Sequence, residues 1–303
     1  MRNLRRRGVI GALLLAFALV AAACSSGGDT EIKVGAQDFG ESVILAEIYA
    51  QALEAEGYPV SIQPLGGFRD IVLASFESGD INLTPEYAAS LLEFLNGFSG
   101  EATGDAAETT ANLRGYLDDK GLVAFDPSPA ADTNAFVITP ETSQALGITS
   151  LSDLADKGAD LTLGGPPDCE TNAFCIPGLQ TVYGLDLSAN FAPLDAGAIT
   201  VQALEAGEIE VALLFSTSGV IADRGWVLLD DDQNMLSADN VVPVLTSELA
   251  DAYGNDLESL LNSLSAALST AELTEMNRQF DIEQLDPEDI AAGWLSDNGF
   301  NGG

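Results

Sequence analysis

The 303-residue chain contains no histidine. That absence removes Ser-His-Asp and Cys-His nucleophilic sites, a histidine general base and every histidine-ligated zinc centre. Basic residues are scarce too: 11 Lys and Arg stand against 47 Asp and Glu, for a formal charge of −36. Nucleic acids and anionic lipid headgroups are bound by Lys- and Arg-rich surfaces, so neither suits this chain as a partner. No glycine-rich spacing of the kind that cradles nucleotide phosphates occurs, and no low-complexity stretch. An enzyme built from these residues would have to work with carboxylates, lysine or the three cysteines Cys24, Cys169 and Cys175. What the chain does have is apolar content, 47% of its residues, which excludes disorder. At roughly 100 to 200 residues per domain, its length suits two lobes with separate cores.

The first thirty residues read as an address. Arg2, Arg5, Arg6 and Arg7 precede the apolar run Gly8 to Ala23, the layout of a secretory signal over residues 1–23. Ala21-Ala22-Ala23-Cys24 resembles the lipobox of bacterial lipoproteins, with Ala21 in place of the usual Leu. The resemblance implies a lipid-modified Cys24, a linker over 24–30 and a body held outside the cell by several acyl chains on the bacterial membrane. A retained membrane-spanning helix is the alternative. Without the four leader arginines, 7 basic residues face 47 acidic ones, and 7 − 47 gives −40. Cys169 and Cys175 then lie in an oxidising compartment, where an even count suggests a disulfide worth about 2 kcal/mol. Two free thiols or a metal pair are the alternatives, and a metal would find no further Cys or His to complete its shell.

From residue 31 onward, apolar strands alternate with helical periodicity. Ile32–Ala36, Val60–Leu65 and Ile81–Leu83 read as strands, and Leu45, Ile48, Tyr49, Ala52 and Leu53 fall on one helix face closed by Gly57. Helices are expected over Phe68–Ser78 and Glu86–Asn96, and again after Asp105, which caps with Glu108. The β-α-β order calls for a mainly parallel sheet flanked by helices. A second set of units repeats the pattern, with strands at Phe136–Thr139, Leu161–Leu163 and Val211–Phe215, while Gly164-Gly165 and Pro166-Pro167 read as a turn. Beyond Val241–Leu245 the chain turns helical, with a Leu257, Leu260, Leu261, Leu264, Leu268 stripe and a last helix opened by Asp286-Pro287. The fold class expected is α/β, a two-lobed clamp. Lobe one takes 31–132 plus 243–303, lobe two takes 133–242, and two crossovers join them. Ligands of parallel sheets bind beyond the strands' carboxyl ends, and the residues there are amides, hydroxyls and a Tyr, an inventory for binding rather than chemistry.

Several segments together resemble one family, the solute-binding proteins of ABC importers for glycine betaine, choline and other quaternary amines. They are Ile32-Lys33-Val34-Gly35-Ala36-Gln37-Asp38-Phe39, Gly79-Asp80-Ile81-Asn82-Leu83-Thr84-Pro85-Glu86-Tyr87, Pro177-Gly178-Leu179 with Tyr183-Gly184-Leu185, Phe215-Ser216-Thr217, and Leu229-Asp230-Asp231-Asp232, in order along nearly the whole mature chain. The resemblance implies a type II periplasmic-binding-protein-like clamp, an ABC permease with its ATPase as partner, a monomer, and no cofactor or metal. It implies ligand contacts at Gln37, Asp38, Tyr87, Ser90, Phe215 and Thr217. Asn134 and Asp239 stand where many members have Tyr, and Asn172 where betaine binders place an Arg. Those departures suit a net cation such as choline better than a zwitterion, with Arg69 or Arg224 as possible substitutes for the Arg. Two other classes stay open: an extracytoplasmic carboxylate-based hydrolase, and a sensing lipoprotein that uses the fold without transport. Trp226 and Trp294 read as structural.

Overall fold

The computed structural model describes residues 30–195, 197–237 and 239–300. The expected signal segment and Cys24 lie outside them. The strands are β1 (Ile32–Ala36), β2 (Val60–Pro64), β3 (Leu83–Tyr87), β4 (Leu122–Ala124), β5 (Asn134–Ile138), β6 (Leu163–Gly165), β7 (Phe191–Pro193), β8 (Val211–Phe215), β9 (Val227–Leu228) and β10 (Val241–Thr246). The helices are α1 (Gly40–Ala55), α2 (Arg69–Ser78), α3 (Ala88–Leu95), α4 (Ala106–Asp118), α5 (Pro140–Leu146), α6 (Leu151–Lys157), α7 (Ile176–Gly178), α8 (Ala198–Ala206), α9 (Gly219–Asp223), α10 (Ser247–Ala267), α11 (Thr270–Asp281) and α12 (Pro287–Asp297).

The strands make two sheets of the same plan, β2-β1-β3-β10-β4 and β7-β6-β8-β5-β9. Each is mixed: β1 pairs in parallel with β2 and β3, and β6 with β7 and β8, whereas β10 and β5 are antiparallel to both of their neighbours. The reversed strand in each sheet is the one the chain enters directly from a crossover. Both crossovers run past the carboxyl ends of the other strands, so the strand that follows must run away from that edge. The crossovers lie side by side, with Asp132 N donating to Asp239 O at 3.0 Å and Val241 N to Ala130 O at 3.0 Å. Each sheet is apolar on both faces, with Ile32, Leu45 and Leu83 in one cluster of the first lobe and Leu92, Leu113 and Val244 in the other. The second lobe repeats this with Phe136, Leu163 and Leu179 on one face and Ala135, Leu204 and Leu214 on the other.

Two sequence expectations need correction. The third strand does not span Ile81–Leu83 but starts at Leu83 and runs through Pro85 to Tyr87, so the next helix opens at Ala88 rather than Glu86. Proline lacks the N–H a ladder needs, but Pro85 faces Pro243 of β10 at a position that exchanges no bond across that pair, and on the β1 side the Thr84 hydroxyl donates to Gly35 O at 3.0 Å. Gly164 and Gly165 are strand rather than turn; a Cβ on Gly165 would sit 2.8 Å from Leu213 Cβ, so only glycine lets β6 lie this close to its neighbours. The cap at Asp105 is present, its Oδ1 accepting from Ala107 N at 2.9 Å and Glu108 N at 3.0 Å.

The C-terminal helices do more than cover the first sheet. α12 packs along α1, while α11 touches both α1 and, in the second lobe, α9. At Gly219 a Cβ would come within 2.6 Å of Arg278 Cβ, so α9 meets α11 backbone to backbone. Trp294 is buried with Ile290 and Leu295 in the first-lobe core and stacks on Phe300, centroids 5.8 Å apart. Cys169 and Cys175 are joined as a disulfide in the second core, Cα atoms 5.2 Å apart.

Two glycine substitutions separate packing from backbone entropy. Gly165→Ala overpacks β6 against Leu213 and is expected to destabilise by about 1–3 kcal/mol. Gly115→Ala, in α4 where a Cβ meets open space, is expected to stabilise by about 0.5–1 kcal/mol. Urea unfolding of the two variants and the parent reads both signs.

Candidate ligand-binding site between the lobes

The carboxyl ends of the two sheets enclose a cavity of about 410 Å³, the size of a small-molecule site. All the sequence-derived contact candidates except Thr217 line it: Gln37, Asp38, Tyr87, Ser90, Asn134, Asn172, Phe215 and Asp239. Phe39, Phe68, Arg69, Asp132, Asp168, Asp195 and Leu213 line it as well. Arg224 does not; it pairs with Glu205 at 2.6 Å and with Asp223 at 3.0 Å on the surface.

Aromatic rings from both lobes form a continuous wall. Phe39, just beyond β1, has its centroid 6.2 Å from Tyr87 and 6.2 Å from Phe215, tilted 33° and 31°. Phe39 thus bridges the first lobe's ring and the second's. Phe68, at the start of α2, is 61% exposed at the mouth. In the second lobe, Asn134 Nδ2 donates to Phe174 O at 3.1 Å, and Asn172 Oδ1 accepts from Phe174 N at 2.9 Å. Asn172 lies between Cys169 and Cys175, so the disulfide closes the loop that brings it to the wall.

Behind the rings the two lobes share buried polar groups. Glu41, in the first turn of α1, accepts from Tyr87 Oη at 2.5 Å, from Thr217 Oγ1 at 2.6 Å and from Asn277 Nδ2 at 2.5 Å. One carboxylate therefore holds a cavity ring, the second lobe and α11 together. Here is where Thr217 goes: its hydroxyl is turned to Glu41, fully buried, one layer behind the cavity. Burial first, and then the charges of Glu41 and Asp132, raise the Tyr87 pKa, so its hydroxyl stays a donor.

At the crossovers, Asp239 caps α3 from outside that helix's own strand. Its Oδ1 accepts from Ala89 N at 2.8 Å and Ser90 N at 3.0 Å, and its Oδ2 from Ser90 Oγ. Asp132 accepts from Ser216 Oγ and Thr217 N, both at 3.1 Å. Arg69, 25% exposed, is held by Glu86 Oε2 at 3.2 Å. Glu86 also receives Tyr87 N at 3.1 Å and Gln37 Nε2 at 3.5 Å, which orients the Gln37 amide at the wall. Asp38, Asp168 and Asp195 are exposed at the rim.

Sequence reasoning gave Asp132 and Glu41 no role in the site, and it placed Phe39 among the residues beyond β1 without making it a ligand contact. Phe39 directly follows Gln37 and Asp38 in the loop after β1, a signal that was available. Nothing local marks Asp132 or Glu41, whose roles come from segments 85 and 176 residues away.

The chain matches, over residues 30–297, the family described as the substrate binding domain of the ABC-type glycine betaine transport system. It belongs to that family. A glycine-betaine-binding protein of Pseudomonas aeruginosa is 27% identical over 300 residues, covering 96% of this chain and 94% of that protein. The glycine betaine-binding protein YehZ of Escherichia coli is 24% identical, covering 89% and 91%. Among solved structures, one titled a glycine betaine/carnitine/choline ABC transporter superposes with a TM-score of 0.72 at 24% identity, covering 89% of this chain and 99% of that one. A choline binding protein in complex with choline gives 0.61 at 18%, covering 91% and 90%. These likenesses establish the two-lobed type II binding-protein fold. As a substrate-binding domain of an ABC transport system, the chain belongs to an extracytoplasmic solute-binding family. Among its described residues no helix is long and apolar enough to cross a membrane.

In this substrate-binding domain the buried acids leave a pH signature. Burial pushes the Asp239 carboxyl up to about 6, against Arg69 and the hydrogen bonds of Ser90 and Ala89. A carboxyl whose folded pKa is raised contributes stability that is complete below its ordinary value and lost as pH rises through the raised one. From an ordinary 3.8, the loss amounts to about 3 kcal/mol. Unfolding free energies of the parent should therefore fall more steeply between about pH 4 and about pH 8 than those of Asp239→Asn. Parallel profiles would contradict the assignment.

Proposed function

We propose that the protein is the extracytoplasmic binding lipoprotein of an ABC importer for a small quaternary amine, which it clamps between its lobes and delivers to the permease and its ATPase. The observation that carries this reading is the three-ring wall, in which Phe39 stands between Tyr87 of one lobe and Phe215 of the other. A quaternary ammonium donates no hydrogen bonds and is attracted by ring faces, each worth about 0.5–2 kcal/mol. A wall contributed by both lobes is complete only when they are together, so the ligand favours the closed arrangement that a permease distinguishes from the open one. Gln37, Ser90, Asn134 and Asn172 supply polar contacts around the rings, with Asp239 at the base, and Thr217 acts through Glu41. Cys24 carries the lipid that holds the monomer at the membrane.

No catalysis is required by this reading. A carboxylate hydrolase presents an acid and a base on opposite sides of its substrate. Here the buried acids Asp132 and Asp239 sit on adjacent crossovers joined backbone to backbone, and both are hydrogen-bonded into the fold. The relatives named for glycine betaine support the ligand class, as does the choline-bound neighbour's shared fold.

A thermal-shift panel of choline, glycine betaine, carnitine, proline betaine and ordinary amino acids tests the class. At about 100 times its dissociation constant, a true ligand adds about 2.7 kcal/mol to the folded state. Stabilisation by amino acids alone overturns the reading. Tyr87→Ala is expected to weaken quaternary-amine binding at least about tenfold, with calorimetry as the readout.

A further inference from the structure

We propose that Asp132 is the counter-ion of the ligand's cationic head, and that the site consequently selects net cations of the choline type over zwitterions of the glycine betaine type. The inference rests on the quaternary-amine reading above and assigns the charge that reading leaves open. Asp132 lies on the first crossover, is 6% exposed and lines the cavity. Both hydrogen bonds it accepts fall on Oδ1. Oδ2 accepts none among the described residues, and the carboxylate forms no ion pair with any of them. A carboxylate removed from water and left without a cation is costly, so it either keeps a proton or waits for a cation to arrive.

The groups that face Asp132 explain which. α1 presents Glu41, β3 presents Tyr87, the second crossover presents Asp239, the loop after β1 presents Asp38, and the loop after β8 offers only the neutral donors Ser216 and Thr217. The one guanidinium lining the cavity, Arg69, is engaged by Glu86 and drawn toward Asp239. Burial first, and then the charge of Glu41, hold the Asp132 carboxyl well above its ordinary value. The empty cavity therefore favours the protonated form of Asp132. A methylated ammonium at the ring wall supplies the opposite charge that makes ionisation favourable, and the proton leaves to solvent as the ligand binds. A zwitterion brings the same head together with a carboxylate. That carboxylate would meet Asp38, Asp168, Asp195 and Asp239 around a guanidinium already neutralised, and like-charge juxtaposition disfavours it.

Isothermal titration of choline and of glycine betaine into the parent and Asp132→Asn decides the matter. The parent is expected to bind choline at least about tenfold more tightly than glycine betaine, with choline affinity rising as pH is raised. Asp132→Asn should weaken choline at least about tenfold but glycine betaine less than about threefold, because for the zwitterion the lost counter-ion is offset by relief of repulsion on its carboxylate, and it should flatten the pH dependence. Equal losses for both ligands mark a merely structural role and overturn the proposal, as does unchanged choline affinity. Should the variant fail to fold, the parent alone decides: choline titrated in two buffers of different ionisation enthalpy must show proton release, and none released overturns the proposal. If the parent binds both amines equally, this proposal falls and the quaternary-amine reading stands. If it binds neither, this proposal falls, and the thermal-shift panel with carnitine and proline betaine decides the quaternary-amine reading.

Discussion

A carboxylate taken out of water must be given donors or a cation, and the seam between the two sheets buries Glu41, Asp132 and Asp239 side by side. The rest of the arrangement follows from how each is satisfied. Glu41 receives hydroxyls from Tyr87 and Thr217 and an amide from Asn277, which fixes one lobe, the other lobe and α11 to a single point. Asp239 receives the backbone amides that open α3, and so locks the second crossover to the first lobe. Among the described residues, Asp132 receives hydrogen bonds on one oxygen only. Each group is thereby placed on the boundary between holding the fold together and holding a ligand.

That seam also accounts for the topology. Two sheets of the same order are joined where their strands end, and each crossover is followed by the single reversed strand of its sheet. The cavity lies at this edge because the chain supplies loops there and nowhere else on both lobes at once. Rings that are ordinary aromatics within their own lobes become one wall through Phe39. The strongly acidic body surrounding it favours approach of cations, a long-range effect that weakens with salt.

Much of this was legible in the sequence. β1 and β8 have the bounds their apolar runs announced, the cap at Asp105 is present, and the tail stripe buries Leu257, Leu261 and Leu264. Where local signals failed, a distant partner had decided the matter. Pro85 sits in a strand because it faces Pro243 where no bond is exchanged and the Thr84 hydroxyl supplies Gly35 O on the other side, and Gly165 belongs to a strand because Leu213 leaves no room for a Cβ. Thr217 follows β8 as a contact residue should, yet Glu41 draws its hydroxyl away from the cavity. Asp132 is one acid among 47, and only its burial at the crossover distinguishes it.

The central claim is that the seam carboxylates bring rings of both lobes to one cationic head. A crystal structure of the protein with choline tests it most directly. The account predicts the methylated ammonium against Phe39, Tyr87 and Phe215, with Asp132 the nearest carboxylate, and Thr217 still bonded to Glu41 behind the wall. An ammonium seated elsewhere in the cleft, away from Phe39 and Asp132, would contradict it.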